Sequence, residues 1–125
     1  MFFDIDGTLI TEKTGVLPES TKDAIRMAQD KGHLLFVNTG RTRTSLPQKI
    51  TELGFDGYVC GCGTQIFLRK EELLYASLTN ILCCQVVEKV REYGVPALYE
   101  AADAVYFDYQ ISDKEKLAKK IEDTF

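Results

Sequence analysis

Asp4 and Asp6 stand two residues apart, after the apolar start Met1-Phe2-Phe3 and before Gly7-Thr8-Leu9. On a strand, residues two apart face the same side, so the two carboxylates project together as the strand runs out. Gly7 lets the chain turn sharply, and Thr8 adds a hydroxyl and a backbone N–H. Paired carboxylates of this kind serve as nucleophile and general acid or base, and their hard oxygens suit Mg2+. A surface Asp-Gly turn with two solvated aspartates is the plain alternative. The apolar strand leading straight into the pair favours a site, because open α/β sheets place their chemistry beyond the carboxyl ends of their strands.

A second set, Thr39-Gly40-Arg41, follows the apolar run Leu34 to Asn38. That run reads as a parallel strand buried on both faces. It delivers a hydroxyl, a glycine N–H and a cation to the same sheet edge as Asp4 and Asp6. Alone, the set is an ordinary strand-to-helix turn; beside the two carboxylates it becomes a candidate part of the same site. Arg41 has two readings: it binds substrate, or it pairs with an acidic neighbour.

Asp4-Ile5-Asp6-Gly7-Thr8-Leu9 resembles the first motif of the haloacid dehalogenase-like hydrolases, a superfamily dominated by phosphatases. Val37-Asn38-Thr39-Gly40-Arg41 is similar to its second motif. The spacing and the following elements most resemble the Cof-type sugar-phosphatase branch, whose cap is inserted after the third core strand. The resemblance implies a Mg2+-dependent phosphohydrolase that cleaves small phosphorylated metabolites, sugar phosphates among them, through an aspartyl-phosphate. It assigns Asp4 as nucleophile and Asp6 as general acid, then base. The metal would sit on the Asp4 carboxylate and the Asp6 carbonyl. Phosphate would be held by Thr39 and Gly40, with the N–H groups of Gly7 and Thr8 and the side chain of Arg41. As an acid at neutral pH, Asp6 needs a raised pKa.

The resemblance covers only the first half of the family's pattern. Its later motifs supply a lysine and one or two acidic metal ligands, and no residue here takes those places. The chain therefore reads as the amino-terminal half of a phosphatase, with weak or no turnover expected from these residues alone. A mutase or other phosphotransferase of the superfamily would share both motifs. From another class, a non-catalytic fragment could bind a partner through an unfinished sheet. A dinucleotide site at Gly61-Cys62-Gly63 is disfavoured, because Ile66 stands where G-x-G-x-x-G needs its third glycine. The family usually has an asparagine before the glycine that corresponds to Gly63, and this chain has Cys62 in that place.

The elements that must position these residues alternate strand and helix, which argues for a parallel sheet with right-handed crossovers. The expected class is α/β: an incomplete Rossmann-like parallel three-layer core over residues 1–77, then the start of an inserted α+β cap over 78–125. Met1 to Ile5 is the first strand, and an exposed edge. Pro18-Glu19-Ser20 opens a helix with Thr21, Ala24, Ile25 and Ala28 inward, ended by Gly32. A second helix starts near Thr44, with Pro47 in its first turn and Leu46, Ile50 and Leu53 on one face. Tyr58 to Cys60 is the third strand. Thr64–Leu68 and Leu73–Ser77 form a hairpin around Arg69-Lys70-Glu71-Glu72. In the cap, Leu82, Val86, Val90 and Tyr93 line a helix ended by Gly94. Strands follow near Pro96–Glu100 and Ala104–Tyr109, and Ser112-Asp113-Lys114-Glu115 is a capping box.

Composition narrows the classes. A chain of 125 residues fits one ordinary domain, and 45% hydrophobic with 27% charged residues is the balance of a soluble globular protein. A net charge of −4 gives no electrostatic case for nucleic acid or an anionic membrane. No stretch approaches the ~18 apolar residues of a membrane span, and Asp4 and Asp6 interrupt any signal peptide. Cys60, Cys62, Cys83 and Cys84 are spaced C-x-C and C-C, unlike zinc-ribbon pairs. They read as reduced, mostly buried thiols, which fits a cytoplasmic location. His33, the lone histidine, reads as a surface residue. Oligomeric state is left open.

Overall fold

Three strands run parallel: β1 (Phe2–Phe3), β2 (Phe36–Asn38) and β3 (Gly57–Cys60). Phe3 is level with Val37, and Val37 with Tyr58. The computed structural model describes residues 1–108. Within them, β4 (Gln65–Leu68) and β5 (Glu71–Tyr75) continue the same sheet as an antiparallel hairpin. The α/β core is thus a mixed sheet of five strands in the order β1-β2-β3-β4-β5, with β1 at one edge. The parallel part stops at β3 because a short connection can join only antiparallel neighbours. That connection is the turn over residues 61–64, between β3 and β4. The next, Arg69-Lys70 with Arg69 at φ 56°, joins β4 to β5, so β5 begins at Glu71, earlier than the sequence suggests.

β1 is shorter than the expected strand over Met1 to Ile5. The chain leaves the sheet after Phe3, and the N–H groups of Thr8, Leu9 and Ile10 all converge on the Ile5 carbonyl, at 3.2, 3.0 and 3.0 Å. Ile5 itself is fully buried. The turn that carries the carboxylates is therefore pinned from beneath by an apolar side chain.

Helix α1 (Glu19–Asp30) lies between β1 and β2 in the chain and buries Ile25. Its end is set by Gly32 at φ 79°. Gly32 N–H donates to the Gln29 carbonyl and His33 N–H to the Ala28 carbonyl, the paired bonds of a Schellman ending. The amide of Gln29 donates to the carbonyls of Leu53 and Gly54, at 2.9 and 3.0 Å, tying α1 to the approach to β3.

The second helix differs from expectation. A 3-10 turn at Arg43–Ser45 and a one-turn helix, α2 (Gln48–Thr51), replace one continuous helix from Thr44. Leu46 and Pro47 between them are extended, with ψ of 130° and 136°. Steric conflict with the proline ring keeps the preceding residue out of the helical region, so Pro47 precedes α2 and does not sit inside its first turn. Leu46 and Ile50 still reach the core.

β2 is not buried on both faces. Leu35 and Val37 are fully covered, whereas Leu34 is 54% exposed and Phe36 is only partly covered. Phe2 stacks on Phe36 with ring centroids 4.9 Å apart. The thiols also depart from expectation. Cys60 is buried, but Cys62, Cys83 and Cys84 are exposed, and all four are free.

A second unit begins at Ser77. Its helix α3 (Asn80–Tyr93) starts where the Thr79 hydroxyl accepts the Leu82 N–H and ends at Gly94, φ 61°. β6 (Leu98–Glu100) and β7 (Val105–Phe107) pair antiparallel. The predicted inward stripe of α3 is only partly covered: Val90 is half-buried, and Leu82, Val86 and Tyr93 are exposed. The expected capping box at Ser112–Glu115 lies outside the described residues. No described helix is long and apolar enough to cross a membrane.

Two substitutions test this packing. A Cβ on Gly57 would stand 2.4 Å from Phe36 Cε1 and 2.6 Å from the Phe67 carbonyl oxygen. Gly57→Ala should therefore destabilise the first unit by about 1–3 kcal/mol, read from urea denaturation. In the second unit the Tyr99 hydroxyl is buried with no hydrogen-bond partner among the described residues. An unmet buried donor costs about 1–3 kcal/mol, so Tyr99→Phe should leave stability unchanged or raise it; a clear loss on thermal unfolding would refute this.

Candidate active site

The carboxyl ends of β1, β2 and β3 lie along one edge of the sheet, because the three strands are parallel and in register. Asp4 follows β1 by one residue, Thr39 follows β2 by one, and Gly61 follows β3 by one. Here Asp4, Asn38, Thr39, Gly40 and Cys62 line a cavity of about 400 Å3. The cavity brings Asp4, Thr39 and Gly40 together from two separate strand ends. Asp6, Gly7, Thr8 and Arg41 are not on its lining.

Thr39 is 5% exposed. Its N–H is bonded to the Val59 carbonyl, 2.9 Å, and its hydroxyl oxygen accepts the Arg41 N–H, 3.2 Å. A hydroxyl that accepts through its oxygen still has a proton to donate, and that donor belongs to a residue of the cavity wall. Gly40 leaves its stretch of wall open: a Cβ there would meet the Cys62 sulfur at 3.5 Å. Cys62 N–H in turn donates to the Thr39 carbonyl, 3.3 Å. Cys62 adopts φ 54° and ψ 32°, the left-handed region that Gly and Asn enter most readily.

Asp6 and Arg41 meet beside the cavity. Arg41 Nε donates to Asp6 Oδ2 at 2.8 Å and Nη2 to Oδ1 at 2.9 Å. This is the two-pronged match of a planar guanidinium to a carboxylate. The Arg41 side chain is 14% exposed and that of Asp6 50%. Of the two sequence readings of Arg41, the structure has the acidic neighbour: the guanidinium is on Asp6, not on the cavity. Hydrogen bonds from Arg41 lower the Asp6 pKa, burial opposes this, and the charge of Arg41 adds to it. The raised pKa expected for a proton donor is therefore not found; the carboxylate is held ionised.

The N–H groups of Gly7 and Thr8, expected on phosphate, are engaged within their own turn. Gly7 N–H donates to the Ile10 carbonyl at 3.0 Å and Thr8 N–H to that of Ile5 at 3.2 Å. A tight turn that pins four amides leaves few N–H groups for a ligand. Cys60, fully buried behind the site, has its thiol pKa pushed up to about 11 by burial, which makes it a packing residue and not a nucleophile.

A divalent cation would find hard oxygen donors here. Mg2+ keeps several waters and takes one or two carboxylates with the substrate's phosphate. The exposed Asp4 carboxylate on the cavity wall fits one such place. The Asp6 side chain is occupied by Arg41, which leaves its backbone carbonyl as the remaining candidate. No group of three or more His, Cys, Asp or Glu side chains could hold a metal among the described residues.

Sequence reasoning missed the cavity position of Asn38 and the part of Gln65, a buried side chain whose Oε1 accepts the Arg43 N–H at 3.2 Å. Asn38 had a signal, as the last strand residue before Thr39-Gly40. Gln65 had none, because its place depends on a hairpin folding back.

The lowered pKa of Asp6 can be tested directly. A group whose folded-state pKa is depressed stabilises the fold above its unfolded value, ~3.9 for Asp, and loses that contribution as pH falls through the folded value. Titration of the Asp6 carboxyl carbon by NMR should show a midpoint below the ordinary one, and Arg41→Gln should move it upward. An unmoved midpoint would remove Arg41 as the cause.

These strand ends invite comparison with known proteins. Pyridoxal phosphate phosphatase YbhA of Escherichia coli (strain K12) is 28% identical over 109 residues, covering 85% of this chain and 40% of YbhA. The subclass IIB sugar phosphatase BT4131 has a solved structure that matches at a TM-score of 0.81 and 27% identity, covering 98% of this chain and 47% of that one. A protein of Geobacillus kaustophilus HTA426 matches at 0.81 and 26% identity, covering 99% of this chain and 48% of that one. The chain thus spans 40% of YbhA and about half of these solved relatives. The family model of haloacid dehalogenase-like hydrolases matches residues 1–125, and with its parallel strands followed by Asp4, Thr39 and Gly61 the chain belongs to that family.

Proposed function

We propose that the protein is a Mg2+-dependent phosphohydrolase of small phosphorylated metabolites, sugar phosphates among the candidates, working through an aspartyl-phosphate. The observation that carries this reading is the juxtaposition of the Asp4 carboxylate with Thr39 and Gly40 in one cavity of about 400 Å3. That volume is of the order that small-molecule sites take. Two relatives support it: YbhA, a pyridoxal phosphate phosphatase, and BT4131, a sugar phosphatase.

In this reading an Asp4 oxygen attacks phosphorus, the bond to the ester oxygen breaks, and the alcohol leaves with a proton. Water then attacks the aspartyl-phosphate and returns the free carboxylate and inorganic phosphate. The Thr39 hydroxyl donates to a phosphoryl oxygen, where charge develops in the transition state. Mg2+, held by the Asp4 carboxylate and the Asp6 carbonyl, would supply the positive charge that lets an anionic nucleophile approach an anionic ester. Asp6 handles the proton. Ionised beside Arg41, it stands in the form that takes a proton from water; giving one to the leaving oxygen requires that the pair with Arg41 loosen.

We assign residues 1–77 to the hydrolase core and 78–125 to the start of a cap.

The test is hydrolysis of p-nitrophenyl phosphate, pyridoxal 5′-phosphate and hexose phosphates by the protein with and without Mg2+. Asp4→Asn should lower turnover by about a thousandfold or more, and chelation of the divalent cation should abolish it. Full activity in Asp4→Asn would overturn the assignment. Conversion of a sugar phosphate to its isomer, without release of phosphate, would make the protein a mutase.

A further inference from the structure

We infer that Arg41 is a positioning residue for Asp6 and for the three strand-end turns of the site, not a ligand of the substrate's phosphate. The inference deepens the phosphohydrolase reading and rests on it only for its kinetic consequence. One residue reaches all three turns. Its guanidinium holds the turn after β1 through Asp6, at 2.8 and 2.9 Å. Its N–H meets the Thr39 hydroxyl after β2, at 3.2 Å. Its carbonyl accepts the Gly61 N–H after β3, at 2.8 Å. The remaining terminal nitrogen, Nη1, lies 3.5 Å from the Ser45 carbonyl, in the 3-10 turn that follows.

The geometry separates this role from phosphate binding. A guanidinium presents its donors in a rigid fork, and here two of its three nitrogens point at Asp6. Arg41 does not line the cavity that contains Asp4, Thr39 and Gly40. The arginine is the covered partner and the aspartate the half-exposed one, so the guanidinium is the fixed end and the carboxylate is what it places. Lysine would keep the charge but not the fork.

Hydrogen exchange provides a readout that does not need catalysis. The amides of Thr8, Leu9 and Ile10 close the turn on Ile5 and report how firmly the Asp6 turn is held. Exchange would be followed in the wild-type protein and in Arg41→Gln, Arg41→Lys, Asp6→Ala and the Arg41→Gln/Asp6→Ala double variant. Positioning predicts that Arg41→Gln speeds these amides about three- to tenfold. It also predicts that Arg41→Lys fails to restore them and that the double variant resembles the single ones. Affinity for inorganic phosphate should stay within about twofold, and kcat should fall while KM holds. Unchanged exchange, additive effects in the double variant, or a large loss of phosphate affinity that lysine rescues would overturn the inference. If the wild-type protein hydrolyses no phosphate ester, the phosphohydrolase reading fails, and the exchange cycle still decides the role of Arg41.

Discussion

Phe3, Val37 and Tyr58 lie side by side across three parallel strands, and that register determines where the chemistry can be. Parallel hydrogen bonding fixes strand ends relative to one another, because a slip of one residue would turn every core side chain outward. Ile5, Leu35 and Val37 are fully buried, so the register is held by the apolar side chains beneath it. The polar residues that follow each strand then have no choice of neighbours. Asp4, Thr39 and Cys62 are brought to one cavity although they are far apart in the chain.

Charge completes what the register begins. Two carboxylates two residues apart at one sheet edge repel each other unless a cation separates their roles. Arg41 does this by engaging one of them. Asp6 becomes a fixed, ionised group, and Asp4 is left facing the cavity. The two aspartates thereby acquire different environments, the condition under which two like groups take different parts in a reaction. The Arg41 main chain adds a mechanical link, joining the turns after β2 and β3.

Glycine and proline set the boundaries around this arrangement. Gly32 and Gly94 terminate helices in the left-handed region, and both were legible because few other residues enter it readily. Gly57 acts differently: its lack of a Cβ makes room for the Phe36 ring and the Phe67 carbonyl. That requirement comes from neighbouring strands and leaves no local trace. Pro47 split the second helix by keeping Leu46 extended, a steric rule that outweighed the helical spacing of Leu46, Ile50 and Leu53.

By itself, the sequence determined the order of the elements of the first unit, the helix stops and the two motifs that end β1 and β2. These follow from local rules of apolar period, backbone freedom and residue type. Tertiary structure alone decided that the hairpin extends the sheet and that Gly7 and Thr8 turn their N–H groups inward. It also decided that Arg41 faces Asp6 and lowers its pKa. Each of these is a contact between residues close in space, and an amide, a carboxylate or a guanidinium has no partner until the backbone places one within reach. Residue type declares what a group can do; the register of the strands decides with whom.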